Sequence, residues 1–390
     1  MNFTHSDASS PLQDTSTPTK MGYRPALDGL RTIAIGLVLA EHTGLELFDG
    51  GNSGVIVFFA LSGFLITKLM LEEWSATATL DVKAFYGRRT VRIMPAPLVM
   101  VTLVFLLSWH IMPDAADRRY LWFELVLTAL YIYSLRPILF GDGGLFGARL
   151  QADTETYMAH TWSLAIEEHF YLVWPWLLRG MKLPNRNPLL VIRWLVGFAV
   201  TVTVLRWVAD RFIDPDIVSI SLFTFDGFAF GAALAFAIHN NLYDRLRSIL
   251  RLDVIAVAAG VILLVDLVLR DQWEGGGDPA SAPYGYWYIT YCALASTALI
   301  GHLYDRPDSL WAKLLSLPPI VFIGKLSYSL YLWHVPVQVY ISRDRFPDWS
   351  LVQIIIVEQV LTFGIAYLSY RFIEMQAAKL RKRFVVKTAH

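Results

Sequence analysis

Long apolar runs recur along the whole chain and constrain its fold more than any other feature. Runs of about 18 to 23 residues are long enough to cross a bilayer as helices. The mean hydropathy of +0.45 and the charged fraction of 17% do not suit a soluble chain of 390 residues. The sequence therefore predicts an all-α fold, a polytopic bundle of membrane helices. The candidate segments lie near residues 27–46, 53–72, 93–112, 120–140, 160–178, 189–209, 217–238, 252–270, 285–303, 320–341 and 351–373.

The distribution of Lys and Arg between these segments predicts the topology. Basic residues at 179–186 and 245–251 are expected on the cytoplasmic side, and the acidic, glycine-rich loop 271–283 on the outside. These three stretches lie on their expected sides only if one of the segments 120–140 and 160–178 does not fully cross the membrane. We therefore predict about ten transmembrane helices plus one re-entrant or interfacial segment, with both termini cytoplasmic. The more polar segment 160–178 is the better candidate for the exception.

The remaining composition predicts one membrane domain between two tails. Residues 1–22 are polar and predicted to be disordered, 23–375 form the membrane domain, and 376–390 form a basic cytoplasmic tail. No soluble domain is expected after the last segment. A net charge of zero argues against a nucleic-acid partner. The single cysteine, Cys292, excludes an internal disulfide and a cysteine metal cluster, and no metal is predicted. The lipid bilayer of the cytoplasmic (inner) membrane is the expected location of a multi-pass chain.

The first apolar segment carries two polar side chains, Arg31 and His42. They are separated by about three helical turns and roughly 16 Å along the axis, so both project from nearly one face. Ionisable groups in a membrane helix usually face a protein interior or a watery cavity. The alternative is an arginine that reaches the membrane surface and a histidine that caps the helix.

An arginine cluster follows the second segment, within the stretch FYGRRTVRIMP at 85–95. Arg89 and Arg92 share a helix face, and Arg88 lies one step round it. Guanidinium groups bind phosphate bidentately, which favours a cytoplasmic site for a phosphorylated ligand. A topology anchor or a contact with anionic lipid is the alternative.

The stretch HTWSLAIEEHFYLVWP at 160–175 is the richest in polar groups at membrane depth. At helical spacing His160, Ser163 and Glu167 share one face, which suggests a proton relay or an orienting group. Adjacent glutamates cannot both face one cavity. Glu167 is favoured, and Glu168 and His169 are interpreted as structural or interfacial.

Two other stretches have structural interpretations that stay open. GVIVFFALSGFLIT, in the second segment, is interpreted as a packing surface made of small residues. GKLSYSLYLWHVP aligns Tyr328, Tyr331 and His334 along one segment. An aromatic belt at the membrane interface explains that pattern as well as a site does.

Taken in the order of the chain, these five stretches resemble the acyltransferase 3 family of bacterial integral-membrane O-acyltransferases. The first is RPALDGLRTIAIGLVLAEH, and SYRFIE at 369–374 is a weaker match to the family's end. The arginine–histidine pattern of the family lands on Arg31 and His42, and its RxxR pattern on Arg89 and Arg92. Its Trp-Ser-Leu-x-x-Glu pattern includes Trp162, Ser163 and Glu167.

The resemblance implies transfer of an acyl group, most often acetyl from acetyl-CoA, to a hydroxyl. The acceptor classes it allows are carbohydrates, glycolipids and secondary metabolites. Acyl-CoA is then a cosubstrate, and no bound cofactor is expected. Many relatives carry an additional C-terminal SGNH-type domain, which this chain is expected to lack.

The residues and the resemblance together give one catalytic hypothesis. His42 acts as general base on the acceptor hydroxyl. Arg31 binds the donor or stabilises the oxyanion, and Glu167 orients His42 or manages its proton. The arginine cluster binds CoA; Ser163, His160, Trp162, Tyr328, Tyr331 and His334 are possible supporting or acceptor-side residues. The sequence leaves open direct transfer, an acyl-enzyme, and a proton-coupled transporter as the rival function.

Overall fold

The computed structural model describes residues 22–43, 45, 51–136, 157–212, 224–250, 254, 256, 258–261 and 287–380. Every regular element in these residues is helical, which confirms the all-α prediction. The main helices are α1 (Pro25–Glu41), α2 (Ser53–Thr77), α3 (Val82–Ile93), α4 (Pro95–Ile111), α5 (Ala115–Ala129), α6 (Thr161–Gly180), α7 (Pro188–Phe212), α8 (Asp226–His239), α9 (Tyr243–Leu250), α10 (Trp287–Asp305), α11 (Leu310–Leu315), α12 (Pro318–Tyr340), α13 (Leu351–Ser369) and α14 (Met375–Leu380). A π-helical turn, Tyr370–Glu374, joins the last two.

Local chemistry sets several helix boundaries. Pro25 and Pro95 stand in the first turns of α1 and α4, where a missing N–H costs no hydrogen bond. α3 and α4 meet at Pro95 with a bend of 40°. α13 begins with a capping box, in which Ser350 and Gln353 satisfy each other's backbone N–H groups.

The second helix, α2, is the centre of the bundle. It is buried along most of its length and packs against α1, α8 and α10. Gly63 and Gly231 allow α2 and α8 to touch backbone to backbone. A methyl group on Gly63 would lie 2.3 Å from the Phe228 carbonyl oxygen, and one on Gly231 would lie 2.2 Å from that of Ala60. The predicted packing role of the small residues in this segment is therefore confirmed.

The first helix, α1, lies equally close to α12. A methyl group on Gly324 would stand 1.8 Å from the Asp28 carbonyl oxygen. One turn further along α1, the Thr32 hydroxyl donates to the Ile320 carbonyl over 2.5 Å. This contact packs the polar face of α1 against α12.

Four helices of the described chain are long and apolar enough to cross a membrane: Ser53–Thr77, Pro188–Ala209, Pro318–Tyr340 and Leu351–Leu380. The bent pair α3 and α4 counts as a fifth candidate if it is one span. α7 and α13 leave many large apolar side chains exposed, as expected of helices that face lipid.

The structure thus supports a multi-pass membrane bundle, while the count of ten crossings and the cytoplasmic termini stay predictions. Parts of the predicted segments 27–46, 120–140, 217–238, 252–270 and 285–303 lie outside the described residues. So do residues 1–21, almost all of the predicted N-terminal tail, and 381–390 of the C-terminal one. Helix α14 runs to Leu380, so regular structure continues into the predicted basic tail.

Replacing Gly231 by Ala should destabilise the bundle, because the new methyl group meets backbone that cannot rotate away. Overpacking of this kind costs about 1–3 kcal/mol. The measurement is the thermal unfolding midpoint of the purified chain in detergent, which should fall for Gly231→Ala. Gly197→Ala on α7 is the matched control, since a methyl group there meets no atom within 4 Å. Equal midpoints for the two variants would contradict the proposed close contact.

Candidate active site

Three histidine rings meet where the end of α1 approaches α6 and α12. His42 stands at the C-cap of α1, His160 at the N-cap of α6, and His334 in the middle of α12. The ring centroids of His42 and His334 are 4.8 Å apart, and those of His160 and His334 are 5.1 Å apart. His160 and His334 are buried, whereas His42 is half-buried. We call these three residues the histidine cluster.

Main-chain carbonyls hold each ring of the histidine cluster by one nitrogen. His42 Nδ1 lies 2.9 Å from the Val38 oxygen, His334 Nδ1 lies 2.6 Å from that of Tyr331, and His160 Nε2 lies 3.1 Å from that of Leu332. A carbonyl accepts only, so each of these nitrogens carries the proton. The opposite nitrogen of each ring then presents a lone pair. His334 Nε2 and His160 Nδ1 are buried with no hydrogen-bond partner in the described chain.

Tyr331 connects the histidine cluster to the next turn of α6. Its hydroxyl donates to the His160 carbonyl over 2.8 Å and lies 2.5 Å from the Ser163 hydroxyl. Because both bonds reach the first turn of α6 from α12, this contact also ties the start of α6 to α12.

Glu167 occupies a separate polar cluster one helical turn beyond Ser163. Its carboxylate accepts hydrogen bonds from Ser62 on α2 and from Tyr171 on its own helix. The Tyr171 hydroxyl oxygen also lies 2.9 Å from the hydroxyl oxygen of Ser62. The Arg89 guanidinium carbon lies 3.8 Å from the centroid of the Tyr171 ring, in cation–π geometry. We call Ser62, Glu167, Tyr171 and Arg89 the glutamate cluster.

The three arginines of α3 point to three different partners. Arg88 forms an ion pair of 2.9 Å with Glu73 of α2. Arg89 lies on Tyr171 and interacts electrostatically with Glu168. Arg92 interacts electrostatically with Glu374.

Glu374 also connects this end of the molecule to Arg31. The carboxylate accepts from Ser329 and interacts electrostatically with Arg31. Arg31 Nε donates to Ser327 over 3.1 Å, and its guanidinium carbon lies 5.9 Å from the Phe58 ring centroid. Arg31 and His42 therefore both face α12, so the prediction that they share one face of α1 is confirmed.

The remaining predicted residues have supporting positions. The Tyr328 hydroxyl donates to the Ile93 carbonyl over 2.8 Å and so joins α12 to the end of α3. Trp162 is half-buried and packs edge-on against Phe59 at 6.5 Å between centroids. Within the described residues, no group of His, Cys, Asp and Glu side chains is arranged to hold a metal ion.

In the structure, Glu167 and His42 each contact other groups and are not paired with one another as predicted. His42 is oriented by the Val38 carbonyl, and Glu167 is bonded to Ser62 and Tyr171. The reason is distance along α6, because His42 meets that helix at His160. Seven residues of helix separate His160 from Glu167, a rise of about 10 Å.

Sequence reasoning assigned no chemical role to Ser62, Tyr171 or Glu374. Each lay in or beside a matched motif, but no spacing rule relates residues on different helices. For Glu374 the weaker match SYRFIE was the available signal, since it ends at this carboxylate.

Comparison with known proteins identifies the family. A family model described as an acyltransferase domain matches residues 24–371. The chain belongs to the acyltransferase 3 family. The family assignment made from five ordered motifs is thereby confirmed.

Several curated family members are similar over most of the chain. O-acetyltransferase OatA of Staphylococcus aureus (strain NCTC 8325 / PS 47) is 30% identical over 372 residues, which cover 92% of this chain and 57% of the relative. Peptidoglycan O-acetyltransferase OatA of Listeria monocytogenes is 30% identical over 363 residues, covering 92% and 56%. The chain thus spans little more than half the length of these relatives. No solved structure matches significantly.

Replacing Tyr331 by Phe should loosen the start of α6, because the hydroxyl bonds to both Ser163 and the His160 carbonyl. Each lost hydrogen bond costs about 0.5–1.5 kcal/mol, while Ser163 and the His160 carbonyl keep the bond between them. We expect a lower thermal unfolding midpoint in detergent. Tyr367→Phe is the matched control, since Tyr367 is 46% exposed on the lipid-facing helix α13. An unchanged midpoint for Tyr331→Phe would show that this hydroxyl does not secure α6.

Proposed function

We propose that this chain is a membrane O-acetyltransferase that moves the acetyl group of acetyl-CoA to a hydroxyl of a carbohydrate. Family membership and the names of its relatives support the reaction class. The observation that carries the proposal is the position of His42. Its Nδ1 is held by Val38, so the lone pair on Nε2 is available to an acceptor hydroxyl. Arg31, near Glu374 and Arg92, lies about three helical turns away on the same helix.

In the proposed reaction, His42 Nε2 accepts the proton of the acceptor hydroxyl. The hydroxyl oxygen then attacks the thioester carbonyl, a C–O bond forms, and the C–S bond breaks. The CoA sulfur leaves as a thiolate and receives the proton that His42 took. The proton balance closes within one ternary complex, so direct transfer needs no acyl-enzyme intermediate.

Arg31 has a donor-binding role in this mechanism. Roughly 16 Å of helix separates Arg31 from His42, more than the guanidinium can span to reach a carbonyl beside that imidazole. Arg31 is held instead by Ser327 near Glu374 and Arg92, where it can position the donor. The alternative role, stabilisation of the oxyanion, fits this separation less well.

Arg89 and Arg92 are the proposed phosphate ligands of the donor. Arg89 Nε is buried without a hydrogen-bond partner in the described chain, so a donor phosphate would satisfy it. Arg88 is already paired with Glu73, so in this proposal it contributes positive charge and does not bind phosphate directly. Glu167 acts as a positioning residue, because through Tyr171 it fixes the surface on which Arg89 lies.

The acceptor is proposed to be a carbohydrate, because one relative is named a peptidoglycan O-acetyltransferase. With the predicted topology, in the cytoplasmic (inner) membrane, His42 lies toward the outer side and the arginines of α3 toward the cytoplasm. The acceptor would then arrive from outside, opposite to the CoA. A hydroxyl nucleophile can reach His42 more easily than its two neighbours, because His42 alone of the three is half-buried.

Replacing His42 by Ala should reduce acetyl transfer by a factor of at least about 10², because a general base contributes 10²–10⁴-fold. Transfer from labelled acetyl-CoA to cell-wall or surface glycan is measured in membranes with matched protein levels. His110→Ala, an exposed histidine on α4, is the control and should retain activity. Undiminished transfer by His42→Ala would refute the base assignment. Substrate flux without consumption of acetyl-CoA would favour the proton-coupled transporter.

Replacing Arg89 by Ala should weaken CoA binding about tenfold or more, because a charge-assisted contact to phosphate contributes roughly 1.5–3 kcal/mol. The measurement is the Kd of CoA for the purified chain, which does not depend on an acceptor. Arg119→Gln removes an exposed cation from α5 and is the matched control. A CoA affinity unchanged in Arg89→Ala would remove this residue from the donor site.

A further inference from the structure

An apolar cavity, apart from both polar clusters, opens between α6, α7 and α8. Its volume is about 200 Å³, and every side chain that lines it is apolar. The walls include Trp174 and Leu177 of α6, Leu195 and Phe198 of α7, and Phe228 and Ala229 of α8. A smaller apolar cavity of about 150 Å³ is large enough to bind benzene. This groove therefore has room for a stretch of hydrocarbon.

One end of the groove is built from the turn between α6 and α7, and this turn is basic. Met181 and Leu183 line the groove, and Lys182 lies between them. Lys182 has a φ of 49°, in the left-handed region, which is energetically unfavourable for a lysine. Arg186 follows within the same turn. An apolar groove with cations at its mouth matches a lipid whose headgroup is anionic.

The Arg186 side chain is held in a position where it could bind such a headgroup. Its Nε donates to the Met181 carbonyl over 2.8 Å, and its guanidinium carbon lies 5.6 Å from the ring centroid of Trp194, another lining residue. The side chain is thus fixed at the mouth of the groove although it is exposed. Within the described chain, Nη1 and Nη2 of Arg186 have no hydrogen-bond acceptor, so this edge of the fork is open to phosphate.

We propose that the groove between α6, α7 and α8 binds one chain of an anionic phospholipid, whose phosphate is held by Arg186 with Lys182 beside it. Charge complementarity selects this occupant over a zwitterionic lipid. The site is independent of the proposed acetyl transfer. It would place a lipid against the back of α6, the helix that carries Ser163 and Glu167.

The test compares two lipids on the purified full-length chain by native mass spectrometry. Detergent-solubilised protein is mixed with equal amounts of phosphatidylglycerol and phosphatidylcholine, and bound lipids are counted. Wild type should retain one phosphatidylglycerol in preference to phosphatidylcholine. Arg186→Gln should lower that retention about fivefold, since one basic residue at a lipid surface contributes about 1 kcal/mol. Arg186→Lys keeps the charge but loses the paired N–H donors of the guanidinium. Its retention of phosphatidylglycerol should lie between those of wild type and Arg186→Gln.

Arg193→Gln is the matched control, because Arg193 is an exposed cation on the opposite face of α7 from the groove. It should bind like wild type. Ala229→Leu fills the groove without changing charge and should reduce retention of both lipids. Glycerol 1-phosphate, a headgroup without chains, should not compete.

Three results would overturn the proposal. The first is equal retention of both lipids by wild type. The second is equal loss in Arg186→Gln and Arg193→Gln, which would indicate general surface charge. The third is the absence of any retained lipid, which would indicate that the groove is covered by another part of the chain. Size-exclusion chromatography of each variant separates these results from misfolding.

Discussion

The contact between α1 and α12 is the constraint on which the site depends. Gly324 lets α12 approach the Asp28 carbonyl so closely that no side chain fits between them. At this distance the side chains on the polar face of α1 contact α12 directly. Arg31 therefore meets Ser327, and His42 meets His334, two turns further along the same helix. Packing of small residues thus decides which groups the two ionisable side chains encounter.

Burial inside an apolar bundle explains why the polar groups form clusters. An unpaired polar atom in a membrane protein has no bulk water to satisfy it, so these side chains bond to one another. The Ser62–Tyr171–Glu167 contacts and the Tyr331–Ser163 contact follow this rule. Among the exceptions in the described chain are buried atoms of Arg89, Glu168, His160 and His334, which have no hydrogen-bond partner. They lie along the route proposed for donor and acceptor.

Much of the candidate site was predictable, because family motifs and helical spacing mark residues on single helices. His42, Arg31, Arg89 and Glu167 were selected in this way, and the structure places each of them in a polar cluster. The relation between them was not predictable. Glu167 was paired with His42 on chemical grounds, yet the rise of α6 separates the two. Ser62 was assigned to packing because its neighbours are apolar and its partner, Glu167, lies 105 positions away.

The sequence by itself determined the class of structure and the family. Apolar runs of membrane length require helices whatever their neighbours, and ordered motifs identify the acyltransferase 3 family without coordinates. Only the tertiary structure decided which polar groups contact one another. It brought three histidines from three helices together and divided the arginines of α3 among Glu73, Tyr171 and Glu374. The physical reason is that spacing along a chain fixes the face of one helix. The partner of that face depends on how closely two backbones can approach.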